Sequence, residues 1–361
     1  MIPRSTRNCT ASNAILMSPA PLIITTLANE RFAPGLGVMV CSALLWAEQK
    51  SVVFYVVDGG ILPHTREKIV RNAASIARQQ GIEVDFHFLD FERMELPSVP
   101  LMNGSLITYA RLLLPKLLQA SSVYYVDADI VCNRPFIPLE EMESGYSSCL
   151  VAACQDPCFS KLQDEYPGGV QLSEEEQQLP YVNAGFMWMN LAAMRECRFW
   201  ESYLELITSG VTMRYADQTA INYLCRHRIH LLPEDFNRLF GKIAWDDLDI
   251  GANFHFVFAW KPWMDECGAK SFVARTVFSS VARDFGFIDD VAAANHSTKM
   301  PASLLMGCYL KLALYRLIGS RHAARQKHIL ASLRWLKSSF PAYEARQALR
   351  LRNPGQPNIS P

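Results

Sequence analysis

Val123-Tyr-Tyr-Val-Asp-Ala-Asp-Ile-Val-Cys-Asn-Arg-Pro135 is an apolar run that stops at two carboxylates. Val123 to Val126 has the β-branched and aromatic character of a strand covered on both faces. Asp127 and Asp129 follow at its carboxyl end, two residues apart, so an extended backbone turns both side chains to one side. Carboxylates so placed repel each other unless a cation stands between them, and hard oxygen ligands suit Mg²⁺ or Mn²⁺ shared with a substrate's phosphates. The carboxyl edge of an open α/β sheet is also where ligands bind. The plainer alternative is a chance Asp-x-Asp in a surface turn.

Around this stretch the chain alternates. Leu22 to Leu27 reads as a first strand, followed by a helix from Pro34 to Glu48 with Leu36, Val40, Leu44 and Leu45 toward the core. Val52 to Val57 is a second strand, Thr65 to Gln80 a helix stopped by Gly81, and Val84 to Leu89 a third strand. This alternation predicts an α/β fold with a parallel sheet flanked by helices. A helix from Leu106 to Gln119, bent or broken at Pro115, leads into the Asp127 strand. Beyond Pro135 come an acidic helix near Glu140 to Glu143, a strand from Leu150 to Cys154, and a polar stretch from Gln155 to Gln178 long enough for a functional loop or lid. Tyr181 to Asn190 and Phe254 to Trp260 read as further strands, the second carrying His255.

The 361 residues carry 35 basic and 35 acidic side chains and are 50% hydrophobic, which suits one large or two small domains and argues against nucleic acid as the main partner. Ten cysteines are scattered without a Cys-x-x-Cys pair, several in apolar runs, which points to reduced core residues and a cytosolic setting. Cys225, His227 and His230 lie close in sequence but lack a fourth ligand at finger-like spacing. Residues 1 to 20 read as a loose extension with no signal-peptide core. Leu304 to Gly319, the longest greasy stretch, is broken by Lys311 and Arg316 and falls short of a membrane span. From Tyr309 to Arg352, ten Lys or Arg face a single acid, Glu344. Such a stretch suits peripheral contact with an anionic membrane surface, and equally a basic-faced helical pair packed on the α/β domain.

Four further places complete a pattern: Tyr109-Ala-Arg111, Asn183-Ala-Gly185, Asp217-Gln218, and His255 six residues ahead of Lys261-Pro-Trp263. In this order the set, spread over residues 20 to 263, resembles glycosyltransferase family 8, that of the retaining bacterial lipopolysaccharide hexosyltransferases and of glycogenin. The resemblance implies a GT-A fold (a Rossmann-like mixed sheet flanked by helices), with a catalytic domain over 21–263 and a basic helical region over 264–361. It further implies a UDP-sugar donor, UDP-glucose or UDP-galactose, a Mn²⁺ (or Mg²⁺) ion, and transfer with retention to a glycan or glycolipid acceptor such as lipopolysaccharide core. On that likeness Asp127, Ala128 and Asp129 form the metal-binding turn and His255 supplies the third metal ligand. A His with two carboxylates is a mixed donor set that Mn²⁺ accepts more readily than Mg²⁺. Lys261 matches the lysine that meets the donor diphosphate. Arg111, Asn183, Gly185, Asp217 and Gln218 match positions around the donor sugar, and Asp156 resembles an acid that contacts it.

Each residue also has a plainer reading: His255 as a satisfied core histidine, Arg111 as the partner of an acid, Asp217 as a helix cap, Asn183-Ala-Gly185 as a turn into a strand. Two departures stand out. Asn29 occupies the place where the family has an acid facing uracil, and Phe258 replaces a glycine of the His-x-x-Gly-x-x-Lys-Pro pattern. Phe258 and Arg31 leave open a second reading, a non-catalytic nucleotide-sugar-binding protein with a decayed site. A haloacid-dehalogenase-like phosphatase also sets Asp-x-Asp after a strand, but needs Thr where Val131 stands, and its motif comes near the chain start.

Overall fold

The computed structural model describes residues 20–94, 96, 106–240, 249–257, 261–264, 269–291, 302–317 and 322–352. The opening alternation folds as read: β1 (Leu22–Ala28), α1 (Ala33–Trp46), β2 (Ser51–Asp58), α2 (Pro63–Gln80) and β3 (Glu83–Asp90). β1 pairs with β2, and β2 with β3, all parallel. Gly81 closes α2 with φ 65°, a left-handed conformation that costs glycine nothing. The Phe254–Trp260 reading reaches into residues 258–260, Phe258 among them, which lie outside those described.

The Leu106–Gln119 helix is shorter than its sequence suggests. A 3-10 turn at Ile107–Tyr109 runs into α3 (Ala110–Leu117), which ends two residues after Pro115. Proline has no N–H to continue the ladder. β4 (Ser122–Val126), buried throughout, then joins β1 on the side away from β2. β5 (Ile130–Val131), α4 (Leu139–Gly145) and β6 (Val151–Gln155) follow.

The polar stretch from Gln155 is a tied excursion. It holds a 3-10 turn at Leu162–Asp164, a short helix α5 (Glu174–Gln177) capped by Ser173, and bridges from Lys161 to Pro180 and from Gly168 to Thr212. β7 (Val182–Asn190) returns antiparallel between β4 and β6, so a purely parallel sheet is not what forms. Next come α6 (Leu191–Glu196), α7 (Phe199–Thr208), α8 (Ala216–Cys225) and β8 (Ile229–Leu231). The main sheet is seven-stranded among the described residues, in the order β3-β2-β1-β4-β7-β6-β8. β9 (Arg238–Leu239) and β10 (Phe254–His255) join β5 in a small second sheet, β10 running antiparallel to β5 and parallel to β9.

Among the described residues, four helices follow: α9 (Ala269–Asp284), α10 (Ala302–Leu317), α11 (His322–Ser338) and α12 (Phe340–Arg352). Their apolar residues share one core with α1, β1 and β10. This second coat explains why α1 is buried on nearly every side, where its sequence suggested a single inward stripe of Leu36, Val40, Leu44 and Leu45. Asn133, fully buried, ties α12 to the sheets. Its Oδ1 accepts from Tyr343 Oη at 3.1 Å and Gln347 Nε2 at 2.6 Å, and its carbonyl accepts from Arg346 Nη1 at 2.9 Å. Arg346 and Arg350 also lie over the Trp46 ring, at 4.3 and 5.2 Å. Two of the ten C-terminal cations are therefore structural. Among the described residues, no helix is long and apolar enough to cross a membrane.

Candidate active site

The strand order reverses at the junction of β1 with β4, and the cleft opens at the carboxyl ends of these two strands, where α/β sheets bind ligands. Antiparallel β7 brings its first residues to the same edge: the Asp127 N–H donates to the Gly185 carbonyl at 2.7 Å. The small sheet does the rest, since pairing of His255 with Ile130 sets the imidazole beside Asp129. Asp127, Asp129 and His255 thus converge, with one ligating atom of each within 4.8 Å of the others, as the sequence predicts.

The donor set fits a small hard cation. His255 Nε2 lies 3.2 Å from Asp129 Oδ1 and 3.7 Å from Asp127 Oδ2. Neighbouring ligands around an octahedral ion with bonds of about 2.1 Å stand about 3 Å apart, so the imidazole is near the spacing such an ion imposes on it and the two acids. Lys261 Nζ pairs with Asp129 Oδ2 at 2.6 Å and donates to the Phe256 carbonyl at 3.0 Å. Burial opposes the charge on Asp129, yet Lys261 and His255 outweigh it and hold this carboxyl well below its ordinary range. Cys225, His227 and His230 are not gathered: Cys225 is in the core, His227 faces Glu176 at 3.2 Å, and the His230 ring lies 4.0 Å from that of Tyr146.

Arg111 organises the opposite wall. Its Nη2 reaches Asp127 Oδ1 at 3.0 Å, its Nε reaches Asp217 Oδ2 at 2.7 Å, and its Nη1 donates to the Ala184 carbonyl at 2.7 Å. Burial disfavours this cation, but Asp127 and Asp217 more than compensate and raise its pKa. Tyr125 Oη donates to Asp127 Oδ1 at 2.5 Å, and Thr108 Oγ1 to Asp217 Oδ1 at 2.6 Å. Thr108 thus takes one oxygen of Asp217 by a hydrogen bond, and Arg111 faces the other as an ion pair. Ala216, at the start of α8, holds φ 47°, a strained value for alanine immediately before Asp217 and Gln218.

Gln218 is fixed at both ends, its Oε1 accepting from the Ala184 N–H at 3.0 Å and its Nε2 donating to Asp156 Oδ2 at 3.3 Å. Asn183 Nδ2 also donates to Asp156 Oδ2, at 3.1 Å. Asn29, Arg111, Asp127, Ala128, Asp129, Asn183, Gly185, Asp217, Gln218, His255 and Lys261 all line the cleft, whose volume is about 410 Å³. Asp156 does not; it sits behind Asn183 and Gln218 and holds them. Three contributors escaped the sequence reading: Thr108, Tyr125 and Asn237, the last bonded to His255 Nδ1 at 2.9 Å. Tyr125 alone had a signal, since a residue two before Asp127 in a strand points to the same side.

A family model described as Glycosyl transferase family 8 matches residues 23–267. The chain belongs to this family. Among the family 8 chain's curated relatives is a lipopolysaccharide 1,2-glucosyltransferase of Escherichia coli K12, 22% identical over 216 residues, 59% of this chain and 60% of the relative. The match thus spans about three-fifths of the length of such relatives. Solved structures share the fold, LgtC and WbbM among them. The galactosyltransferase LgtC, in complex with donor and acceptor sugar analogs, superposes with a TM-score of 0.55 at 20% identity, over 78% of this chain and 98% of its own. The bifunctional glycosyltransferase WbbM gives 0.58 at 17% identity, over 80% of this chain and 53% of its own. The mixed α/β sheet flanked by helices is the GT-A arrangement.

Proposed function

We propose that the protein is a metal-dependent retaining hexosyltransferase that moves glucose or galactose from a UDP-sugar to a glycan or lipid-linked glycan such as lipopolysaccharide core. The observation that carries this reading is the convergence of Asp127, Asp129 and His255 beside Lys261 in one cleft. These three side chains would hold Mn²⁺ or Mg²⁺, which when bound supplies positive charge to the departing diphosphate. Lys261 would add a second positive charge there.

Uracil recognition would fall to Asn29, which lines the cleft and whose Oδ1 has no hydrogen-bond partner among the described residues, leaving an unspent acceptor there. Arg111, Asp217, Asn183 and Gln218 would frame the sugar. Asp217 has both oxygens engaged and Gln218 is a tethered amide, so neither is a ready nucleophile. That favours attack by the acceptor on the face the diphosphate leaves, with a diphosphate oxygen taking the acceptor's proton. UDP release by the purified protein with Mn²⁺, measured across several UDP-sugars, tests the reading. Turnover with UDP-glucose or UDP-galactose is expected; affinity without turnover on every donor would favour the non-catalytic binder.

The C-terminal helical region supports peripheral membrane contact on the cytoplasmic side. On α10, Met306, Leu310 and Leu314 are 62%, 64% and 54% exposed and, at four-residue spacing, form one apolar stripe. Lys311 and Arg316 flank it, and Lys327 and Lys337 on α11 are exposed. An apolar stripe edged with cations suits an anionic lipid surface. Leu310→Glu with Leu314→Glu should cut cosedimentation with anionic vesicles about tenfold or more; unchanged cosedimentation would remove α10 from the contact.

A further inference from the structure

Behind the metal-ligating imidazole runs a chain of amides that no sequence motif announced. It starts at Asp156, whose carboxyl oxygens accept from Cys158 N–H, Asn183 Nδ2 and Gln218 Nε2. Asn183 Nδ2 donates to Asp156 Oδ2 at 3.1 Å, and the backbone N–H of Gly185 donates to Asn183 Oδ1 at 3.0 Å. An acceptor on one side and an obligate donor on the other fix which end of the Asn183 amide is oxygen. That oxygen also faces Asn237 Nδ2 at 2.9 Å, so Asn237 must present its NH₂ here and its Oδ1 to the far side. There Oδ1 meets His255 Nδ1 at 2.9 Å. Asn183, Asn237 and His255 are 9%, 5% and 4% exposed, so water has little access to substitute for any link.

We propose that Asn237 is a positioning residue: by accepting from His255 Nδ1–H it sets the ring's angle and, in the neutral ring, its tautomer, so that Nε2 is the nitrogen turned to Asp127 and Asp129 and left to ligate when a cation displaces any proton from it. With its orientation passed along from Asp156 through Asn183, Asn237 holds a preorganised metal ligand. This assignment rests on the metal site proposed above. It also gives Asn183 and Asp156 a role they keep whatever sugar is bound: they orient the amide that orients the ligand. Second partners of metal-ligating histidines commonly change metal affinity by roughly 10- to 100-fold when removed.

The test compares Asn237→Leu with Asn237→Asp in the full chain. Leucine is close in size but accepts nothing; aspartate still accepts from Nδ1–H, although it cannot donate to Asn183. Two measurements are made on each: Mn²⁺ affinity by calorimetry with the metal ion alone, and the protonated ring nitrogen of His255 by ¹⁵N NMR of the metal-free protein in alkaline buffer. The expected result is Nδ1–H in the wild type and in Asn237→Asp, and loss of that signature in Asn237→Leu with Mn²⁺ affinity down roughly 10- to 100-fold. Asn237→Asp should lose clearly less affinity, which a purely packing role for Asn237 would not produce. An Nε2–H ring in the wild type, or Asn237→Leu binding Mn²⁺ as tightly as wild type, would overturn the proposal. If the wild type itself binds no Mn²⁺, the metal reading fails, while the NMR comparison still decides whether Asn237 sets the ring.

Discussion

Alanine at Asp129 is expected to lower metal-dependent UDP release by about a thousand-fold or more, and to destabilise the fold by about 3–5 kcal/mol. The activity loss follows from removing one of the three converging side chains proposed to hold the metal. The stability loss comes from Lys261: its Nζ lies 2.6 Å from Asp129 Oδ2, and the pair is buried, so truncation leaves an ammonium whose other described acceptor is the Phe256 carbonyl. Asp127→Ala should lose comparable activity at a smaller cost in stability, about 1–2 kcal/mol, chiefly the orphaned Tyr125 hydroxyl. Its charge partner Arg111 keeps Asp217 at 2.7 Å. UDP release with and without Mn²⁺, beside urea unfolding of both variants, separates the two effects. Near-normal turnover in either variant would refute the metal assignment; equal stability losses would refute the role given to Lys261.

How much of this arrangement was legible depends on whether the signal is local. The acids at 127 and 129 could be read because a buried strand ending in two carboxylates is unusual within a dozen residues. β1 and β2 were legible for the same reason, each being an apolar run with its own stop, and β3 through the alternation of Val84, Phe86 and Phe88 with Asp85 and His87. The antiparallel insertion of β7 was not, because an apolar strand looks the same whichever way it runs. The burial of α1 on all sides was hidden too, since its second cover comes from helices more than two hundred residues later.

The cleft shows the same division. His255 and Lys261 were found through the family resemblance, which their six-residue spacing matched, whereas Asn237 is one asparagine after a 3-10 turn, and its importance exists only once β9 pairs with β10. Arg111 satisfies both readings given to it. It pairs with acids, and by doing so it holds Asp127 and Asp217 at the cleft wall. The choice between structural and functional residue is a false one where a buried cation organises the acids of the cleft wall.

Gly185→Ala should be nearly as damaging as loss of a ligand, although it adds only a methyl group. A Cβ built on Gly185 would stand 2.3 Å from His255 Cε1, 2.7 Å from His255 Nδ1 and 3.0 Å from Asp127 Oδ2. Real Cβ atoms do not tolerate the first two distances, so one side must yield. The Gly185 backbone cannot move freely, since its carbonyl accepts from Asp127 and its N–H donates to Asn183 Oδ1. The imidazole must therefore swing away, giving up either Asn237 or the acid pair. Overpacking of this kind costs about 1–3 kcal/mol, and displacing one ligand by an ångström should lower Mn²⁺ affinity by roughly 100-fold, with turnover following. Calorimetric Mn²⁺ titration of the variant, with its unfolding midpoint measured alongside, gives the answer. A folded Gly185→Ala protein that binds Mn²⁺ like wild type would mean that the imidazole is not a ligand, and the metal site would then rest on the two carboxylates alone.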